Sequence, residues 1–138
     1  MENILLQEGI KAPNFKLMGS DKQEHKLSDY LNKKVILYFY PRDNTPGCSR
    51  EAQDFKNSIK DFTDNNTVII GVSRDSLKSH DKFIEKYELP FLLLSDENED
   101  VCNLYGVLKE KTMFGKKCFG IERSTFLIDE SGIIKKIY

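Results

Sequence analysis

Lys34-Val35-Ile36-Leu37-Tyr38-Phe39-Tyr40 runs directly into Pro41-Arg42-Asp43-Asn44-Thr45-Pro46-Gly47-Cys48. The first seven residues are apolar on both faces, as in a central strand covered on both sides. Pro41 ends that strand, because proline brings no N–H to a ladder. A polar loop follows, Arg42–Gly47, and then a helix is expected from about Cys48 to Phe62. Its apolar residues Ala52, Phe55, Ile59 and Phe62 fall at helical spacing. Strand, loop and helix in this order are the opening unit of an α/β fold. In such folds, reactive groups collect beyond the carboxyl ends of the strands. The loop after Tyr40 is such a place.

The same alternation continues outward. Asn14–Met18 reads as a short strand, with Glu24–Leu27 as its hairpin partner across Gly19-Ser20-Asp21. Thr67–Ser73 is a second buried strand. Ser76–Tyr87 is an amphipathic helix with Leu77, His80, Phe83, Ile84 and Tyr87 on one face. Phe91–Leu94 is a third strand, and Glu97–Tyr105 a short helix stopped at Gly106. Val107–Glu110 and Glu122–Asp129 read as strands around a basic, glycine-containing loop. Ser131-Gly132 turns into a last strand, Ile133–Tyr138. The expectation is one α/β domain over residues 1–138, with helices on both faces of the sheet.

The 138 residues are 39 % hydrophobic and 31 % charged, with 9 Phe and 6 Tyr, which argues against a disordered chain. Lys and Arg total 21 against 22 Asp and Glu, a net charge of −1. Such a balance offers no field for nucleic acid or an anionic membrane. No apolar run approaches the ~20 residues of a membrane helix. The start, Met-Glu-Asn-Ile-Leu-Leu-Gln-Glu, lacks the basic and apolar regions of a signal peptide. A cytoplasmic protein is therefore expected, with no nucleic-acid or membrane partner.

There are 3 Cys, at 48, 102 and 118, and 2 His, at 25 and 80. An odd, small number without a secretion signal is no disulfide framework. No Cys-x-x-Cys pair is present, so neither a zinc site nor a thioredoxin-type reductase is indicated. Attention falls on Cys48. The first N–H groups of a helix lack intrahelical partners, and the dipole there is positive. A thiolate at that place is stabilised. The alternative is an inert, buried thiol. Thr45, three residues earlier, is either a capping hydroxyl or a hydrogen-bonding partner for a polar substrate beside the sulfur. Pro41 ends the strand and fixes the start of the loop.

Pro41, Thr45 and Cys48 form Pro-x-x-x-Thr-x-x-Cys, which resembles the active-site signature of peroxiredoxins. The string Phe39-Tyr40-Pro41-Arg42-Asp43-Asn44-Thr45-Pro46-Gly47-Cys48-Ser49-Arg50-Glu51-Ala52 is similar to the bacterioferritin comigratory protein, or peroxiredoxin Q, subgroup. So are Val72-Ser73-Arg74-Asp75-Ser76, Ser79-His80-x-x-Phe83, Leu94-Ser95-Asp96, Tyr105-Gly106-Val107, and Gly115 through Asp129 apart from a missing tyrosine. The segments cover nearly the whole chain in the family's order. The resemblance implies a thioredoxin-like fold with a central mixed sheet, and reduction of hydroperoxides by Cys48 as peroxidatic nucleophile. Thr45 matches the residue that orients the peroxide, Arg123 the arginine beside the thiolate, and Pro41 the proline that shields the site. Glu51, one turn after Cys48, is either a surface residue or the group that orients Arg123. Neither a metal nor a cofactor is implied. The partners implied are a hydroperoxide substrate and thioredoxin or another small thiol reductant, acting on a monomer or weak homodimer. A non-enzymatic redox sensor or holdase-type binding module on the same fold is the second reading. Intact Pro41, Thr45, Cys48 and Arg123 favour the enzyme.

Two departures from the subgroup stand out. Many members carry a resolving cysteine five residues after the first; here that position is Gln53. The other position used, on the helix after the second buried strand, falls at Ile84 or a neighbour, none of them Cys. Cys102 reads chiefly as a core thiol. Cys118 is either incidental or a thiolate favoured by Lys116 and Lys117. A one-Cys cycle is therefore expected, with an external thiol reducing the sulfenic acid. Members also continue past the last strand into a basic segment and a terminal helix, whereas this sequence stops at Lys135-Lys136-Ile137-Tyr138. One face of the sheet is thus expected to be under-covered.

Overall fold

The computed structural model describes residues 6–138, apart from the side chains of Lys111 and Met113. Its early strands are β1 (Lys16–Gly19), β2 (Glu24–Lys26) and β3 (Lys34–Phe39), with a 3-10 turn at Leu27–Tyr30. Helices α1 (Pro46–Asn57) and α2 (Ile59–Asp64) lead to β4 (Thr67–Ser73), α3 (Leu77–Tyr87) and β5 (Leu92–Ser95). Then come α4 (Asp100–Leu104), β6 (Leu108–Met113), β7 (Lys116–Ile121), β8 (Ser124–Ile128) and β9 (Ile134–Ile137).

Seven strands form one sheet in the order β2-β1-β5-β4-β3-β8-β9. The crossovers through α1–α2 and through α3 place β3, β4 and β5 parallel, while the remaining pairs are antiparallel. This is the mixed sheet of a thioredoxin-like fold. Residues along β3 alternate between its two sides, as strand geometry requires. Ile36, Tyr38 and then Tyr40 enter a cluster with Cys48, Ala52 and Phe83, under α1 and α3. Val35, Leu37 and Phe39 enter the opposite cluster with Phe15, Leu27, Cys102, Tyr105 and Ile134. That second face is covered by the segment before β1, the 3-10 turn and the short α4 rather than by long helices.

Three expectations are corrected. The helix foreseen from Cys48 to Phe62 begins at Pro46 and breaks at Ser58. The Ser58 N–H bonds Phe55 O at 3.2 Å, a tightened turn, and Phe62 N then bonds Ser58 O. Phe55, Ile59 and Phe62 all pack on the same cluster, so apolar spacing passes unchanged through the break. The stretch read as a basic loop after Glu110 is a hairpin, with β6 and β7 paired antiparallel from Leu108↔Ile121 to Met113↔Lys116. Its turn residues Phe114 and Gly115 both have positive φ, 53° and 77°, as a two-residue hairpin loop requires. The helix foreseen over Glu97–Tyr105 is only Asp100–Leu104, because Asp96 caps it from outside. The Asp96 carboxylate accepts Val101 N at 3.2 Å and Cys102 N at 2.7 Å.

On the α1 side of the β8–β9 edge, Leu127 is only partly buried against the cluster, and Tyr138 is 72 % exposed. No helix among the described residues is long and apolar enough to cross a membrane.

Gly71, opposite Tyr38 in the β3–β4 ladder, leaves room for the Tyr38 ring. A Cβ there would meet Tyr38 Cζ and Leu93 Cδ2 at 2.8 Å. Gly71→Ala is expected to cost about 1–3 kcal/mol of stability through overpacking. Urea unfolding checks this, as a lower midpoint with an unchanged slope.

Candidate active site

The loop after β3 and the first turn of α1 carry the reactive sulfur. Thr45 is the residue before the helix, with extended backbone, and Pro46 and Gly47 open it. Ser49 N makes the first intrahelical bond, to Thr45 O at 2.8 Å. The N–H groups of Gly47 and Cys48 precede it and belong to the unpaired start of the helix. Cys48 is the third helical residue and only 2 % exposed. Proline suits the first position because its missing N–H would have had no partner.

Arg123 comes from the other side of the sheet's centre. It lies between β7 and β8, and Ser124 pairs with Phe39, the last residue of β3. This register carries the guanidinium to the start of α1. Nη2 donates to Cys48 Sγ at 3.2 Å, and Nη1 donates to Glu51 Oε1 at 2.6 Å. Gly47 permits the approach, since a Cβ there would sit 3.3 Å from Nη2. Partial burial works against the Arg123 charge, but its bonds to Cys48 and Glu51 outweigh that and push its pKa up. Burial raises the Glu51 carboxyl above its ordinary value, with Arg123 pulling it back. Glu51, whose role the sequence left open, is hydrogen-bonded to Arg123.

The Thr45 hydroxyl donates to Arg42 O at 3.1 Å. Its oxygen therefore remains free to accept a hydrogen. At the start of α1 the sulfur thus has the Arg123 guanidinium against it and unpaired backbone N–H groups in its own helical turn, with Thr45 at the residue before the helix. Pro41 is half-buried at the end of β3. A cleft of about 510 Å³ opens beside this group along α1, lined by Glu51, Asp54, Phe55, Phe62 and Arg123 among others.

Neither of the other two cysteines is bonded to Cys48; all three are free thiols. Cys102 is fully buried in the cluster on the opposite face of the sheet. Burial, then the neighbouring Asp96 carboxylate, pushes its thiol far above the ordinary range. Cys118 is half-buried on β7, facing Lys111 in register. Gln53 bonds Ser49 O across one turn of α1, so the usual partner position is part of the helix's own bonding.

Sequence reading missed the polar groups beneath the loop. Asp43 is 7 % exposed and His80 fully buried, although both looked like ordinary loop and helix residues. The available signal was a histidine on the apolar face of α3, where a buried imidazole demands partners. Tyr38 was read only as core. Its hydroxyl has no hydrogen-bond partner among the described residues. Burial, followed by the nearby charges of Glu51, Asp43 and Cys48, holds it well above the ordinary phenol range.

A family model described as AhpC/TSA family matches residues 9–137. The chain is 50 % identical over 133 residues to peroxiredoxin Bcp of Bacillus subtilis strain 168, covering 96 % of this chain and 85 % of the relative. Among solved structures, a cysteine-to-serine mutant of Xylella fastidiosa PrxQ superposes with a TM-score of 0.91 at 42 % identity, covering 96 % of this chain and 85 % of that one. The Xanthomonas campestris bacterioferritin comigratory protein, studied for alkyl peroxide reduction in trapped intermediate and ligand complexes, gives 0.86 at 40 % identity over 90 % of this chain and 79 % of that one.

The thiolate, not the thiol, reacts with alkylating agents. Cys102, buried and with its thiol pushed up, is expected to stay unmodified by iodoacetamide in the folded protein and to react only after denaturation. Peptide mapping of alkylated samples with and without denaturant checks this.

Proposed function

The chain belongs to the AhpC/TSA family, among peroxiredoxins of the Bcp type, and we propose that it reduces hydrogen peroxide and organic hydroperoxides with Cys48 as the attacking sulfur. The observation that carries this reading is the 3.2 Å bond from Arg123 to Cys48 Sγ at the open first turn of α1. The thiolate attacks the terminal oxygen of the peroxide. The S–O bond forms as the O–O bond breaks, giving a sulfenic acid and an alkoxide or hydroxide that takes a proton from water. Negative charge moves from sulfur onto oxygen along this path. Arg123 and the Cys48 N–H are fixed donors for that charge and need no reorganisation. Arginine suits the place because it stays charged and presents a rigid fork. Glu51 holds that fork in place. The Thr45 oxygen accepts the peroxide hydrogen and keeps the O–O bond in line with sulfur, an orientation effect. Pro41 shields the start of the loop. Phe55 and Phe62, in the cleft beside Arg123, offer apolar contact to the substituent of an organic hydroperoxide.

The cycle closes by reduction of the sulfenic acid with an external thiol. Two thiols give up two electrons and two protons, becoming a disulfide and releasing water. Thioredoxin or a small thiol fills this role, and one domain spanning residues 1–138 carries the chemistry. A disulfide needs Cα atoms within about 4.4–6.8 Å. Cys102 on the opposite sheet face and Cys118 on the hairpin favour a one-Cys cycle, in a monomer or weak homodimer of a cytoplasmic setting. A sensor or holdase would need no such set of donors around one sulfur.

Cys48→Ser is expected to abolish peroxide consumption while leaving the far-UV circular dichroism unchanged; near-wild-type turnover contradicts the assignment. Arg123→Ala should slow Cys48 oxidation about ten- to a thousandfold, the range for loss of one preorganised donor. Stopped-flow measurement of the peroxide step checks it. The Cys102→Ser, Cys118→Ser double variant should still turn over with dithiothreitol at close to the wild-type rate. Loss of its turnover, with ready overoxidation of Cys118→Ser, would mean a two-Cys enzyme with a displaced resolving residue.

A further inference from the structure

Beneath the loop that presents Cys48 lies a buried polar network whose centre is Asp43. The Tyr40 hydroxyl donates to Asp43 Oδ1 at 2.5 Å, and the Ser79 hydroxyl donates to Oδ2 at 2.8 Å. His80 Nδ1 lies 2.7 Å from the same Oδ2. The backbone N–H of Asp43 is held too, by Asp75 Oδ2 at 2.7 Å, and Asp75 in turn accepts from Ser73 Oγ at 2.7 Å. On the far side of the imidazole, Nε2 lies 3.0 Å from Leu94 O. A carbonyl oxygen only accepts, so Nε2 carries a hydrogen. The hydroxyls of Tyr40 and Ser79 already point at the carboxylate, so a further hydrogen occupies the His80–Asp43 contact. One hydrogen is thus shared between Nδ1 and Oδ2, and the two side chains form a directional buried pair, assigned from its partners.

Its side chains are 0 % and 3 % exposed, so the polar pair is withdrawn from water. Such a pair is weak support for stability, because desolvation offsets the attraction. Apolar side chains would join α3 to β5 equally well. What they could not supply is a directional hold on one loop residue. Asp43 stands two residues before Thr45 and five before Cys48. The next residue, Asn44, has a left-handed backbone at φ 59°, and its Oδ1 accepts from Lys86 Nζ at 3.0 Å. Both residues between Arg42 and Thr45 are thus tied to α3, one from beneath and one from outside.

We propose that His80 is a positioning residue for the peroxide step. Acting through Asp43, it fixes the Arg42–Thr45 backbone and so sets the Thr45 hydroxyl and the first turn of α1 against the peroxide. This rests on the peroxidase reading above. The imidazole makes no bond to Cys48 or Arg123 and takes no part in the bond changes at sulfur.

Two substitutions separate positioning from packing. In His80→Asn, the amide nitrogen stands near Nδ1 and still donates to Asp43, while the bond to Leu94 is lost. In His80→Gln, the amide reaches toward Leu94, and Asp43 Oδ2 loses the imidazole and keeps only the Ser79 hydroxyl. Each variant gives up one bond of the same ring. Two rates are measured: oxidation of Cys48 by hydrogen peroxide, in competition with a haem peroxidase, and alkylation of Cys48 by iodoacetamide, which needs no Thr45. His80→Gln should lose about 10- to 100-fold in the peroxide rate, the scale of a small misplacement of reacting groups, with alkylation close to wild type. His80→Asn should keep both rates close to wild type. Equal losses in the two variants, or parallel losses of oxidation and alkylation, overturn the proposal. So does a His80→Gln protein as fast as wild type toward peroxide. Should His80→Gln fail to fold, Ser79→Ala removes the other α3 donor to Asp43 while leaving the buried His80–Asp43 contact in place. A smaller loss confined to the peroxide rate supports the proposal, and an unchanged rate overturns it. A wild type inert to peroxide overturns the peroxidase reading itself, whereas a fast wild type beside an unaffected His80→Gln overturns only the role of His80.

Discussion

The contact between the Arg123 guanidinium and the Cys48 sulfur depends on one strand pairing. Arg123 immediately precedes β8, and Cys48 follows β3 by one loop and a helical turn. Only the register that sets Ser124 against Phe39 brings the two together. A slip of one residue would turn every β8 side chain to the other face and carry Arg123 away from the sulfur. The register is held by burial. Phe126 and Ile128 enter the core on the side away from α1, beside Phe39 and Val35. The interior of the sheet thus sets the chemistry at its end. Two residues 75 apart in sequence meet because their strands share a core.

Around that contact each neighbour has one physical task. Glu51 lies one turn beyond Cys48 on α1 and grips the other arm of the guanidinium. Gly47 leaves the space through which Arg123 comes close. Thr45 spends its hydroxyl hydrogen on Arg42 O, which leaves its oxygen as an acceptor. The Arg123 guanidinium thus stands against the sulfur, and the Thr45 hydroxyl sits three residues before it in sequence. Helix α3 closes the loop from beneath through the buried Asp43–His80 pair.

The strands and helices that bury a face were legible in the sequence. β4 stands over Thr67–Ser73 as expected, and β3 within one residue, because both strands are continuous apolar runs between turn signals. The β6–β7 hairpin was not legible. Neither of its faces alternates cleanly, and its only turn signal was Gly115 next to a phenylalanine held at positive φ. The break at Ser58 was invisible because it alters backbone bonding without altering which side chains face the core. At the site, Cys48 and Thr45 could be read from local spacing. Arg123 and Glu51 required either a resemblance or the sheet register, since no local pattern links residues so far apart. Asp43 and His80 were hidden for a different reason: a buried polar pair has no periodicity, only a histidine out of place on an apolar face.

The one-Cys cycle through Cys48 is tested most directly by the state of the protein after one equivalent of hydrogen peroxide. A sulfenic-specific reagent is added at once, and intact mass and peptide mapping are recorded. A single adduct on Cys48, in a species of monomer mass without an internal disulfide, is the predicted result. A Cys48–Cys118 disulfide in high yield, or a Cys48 thiol left unmodified, would contradict it.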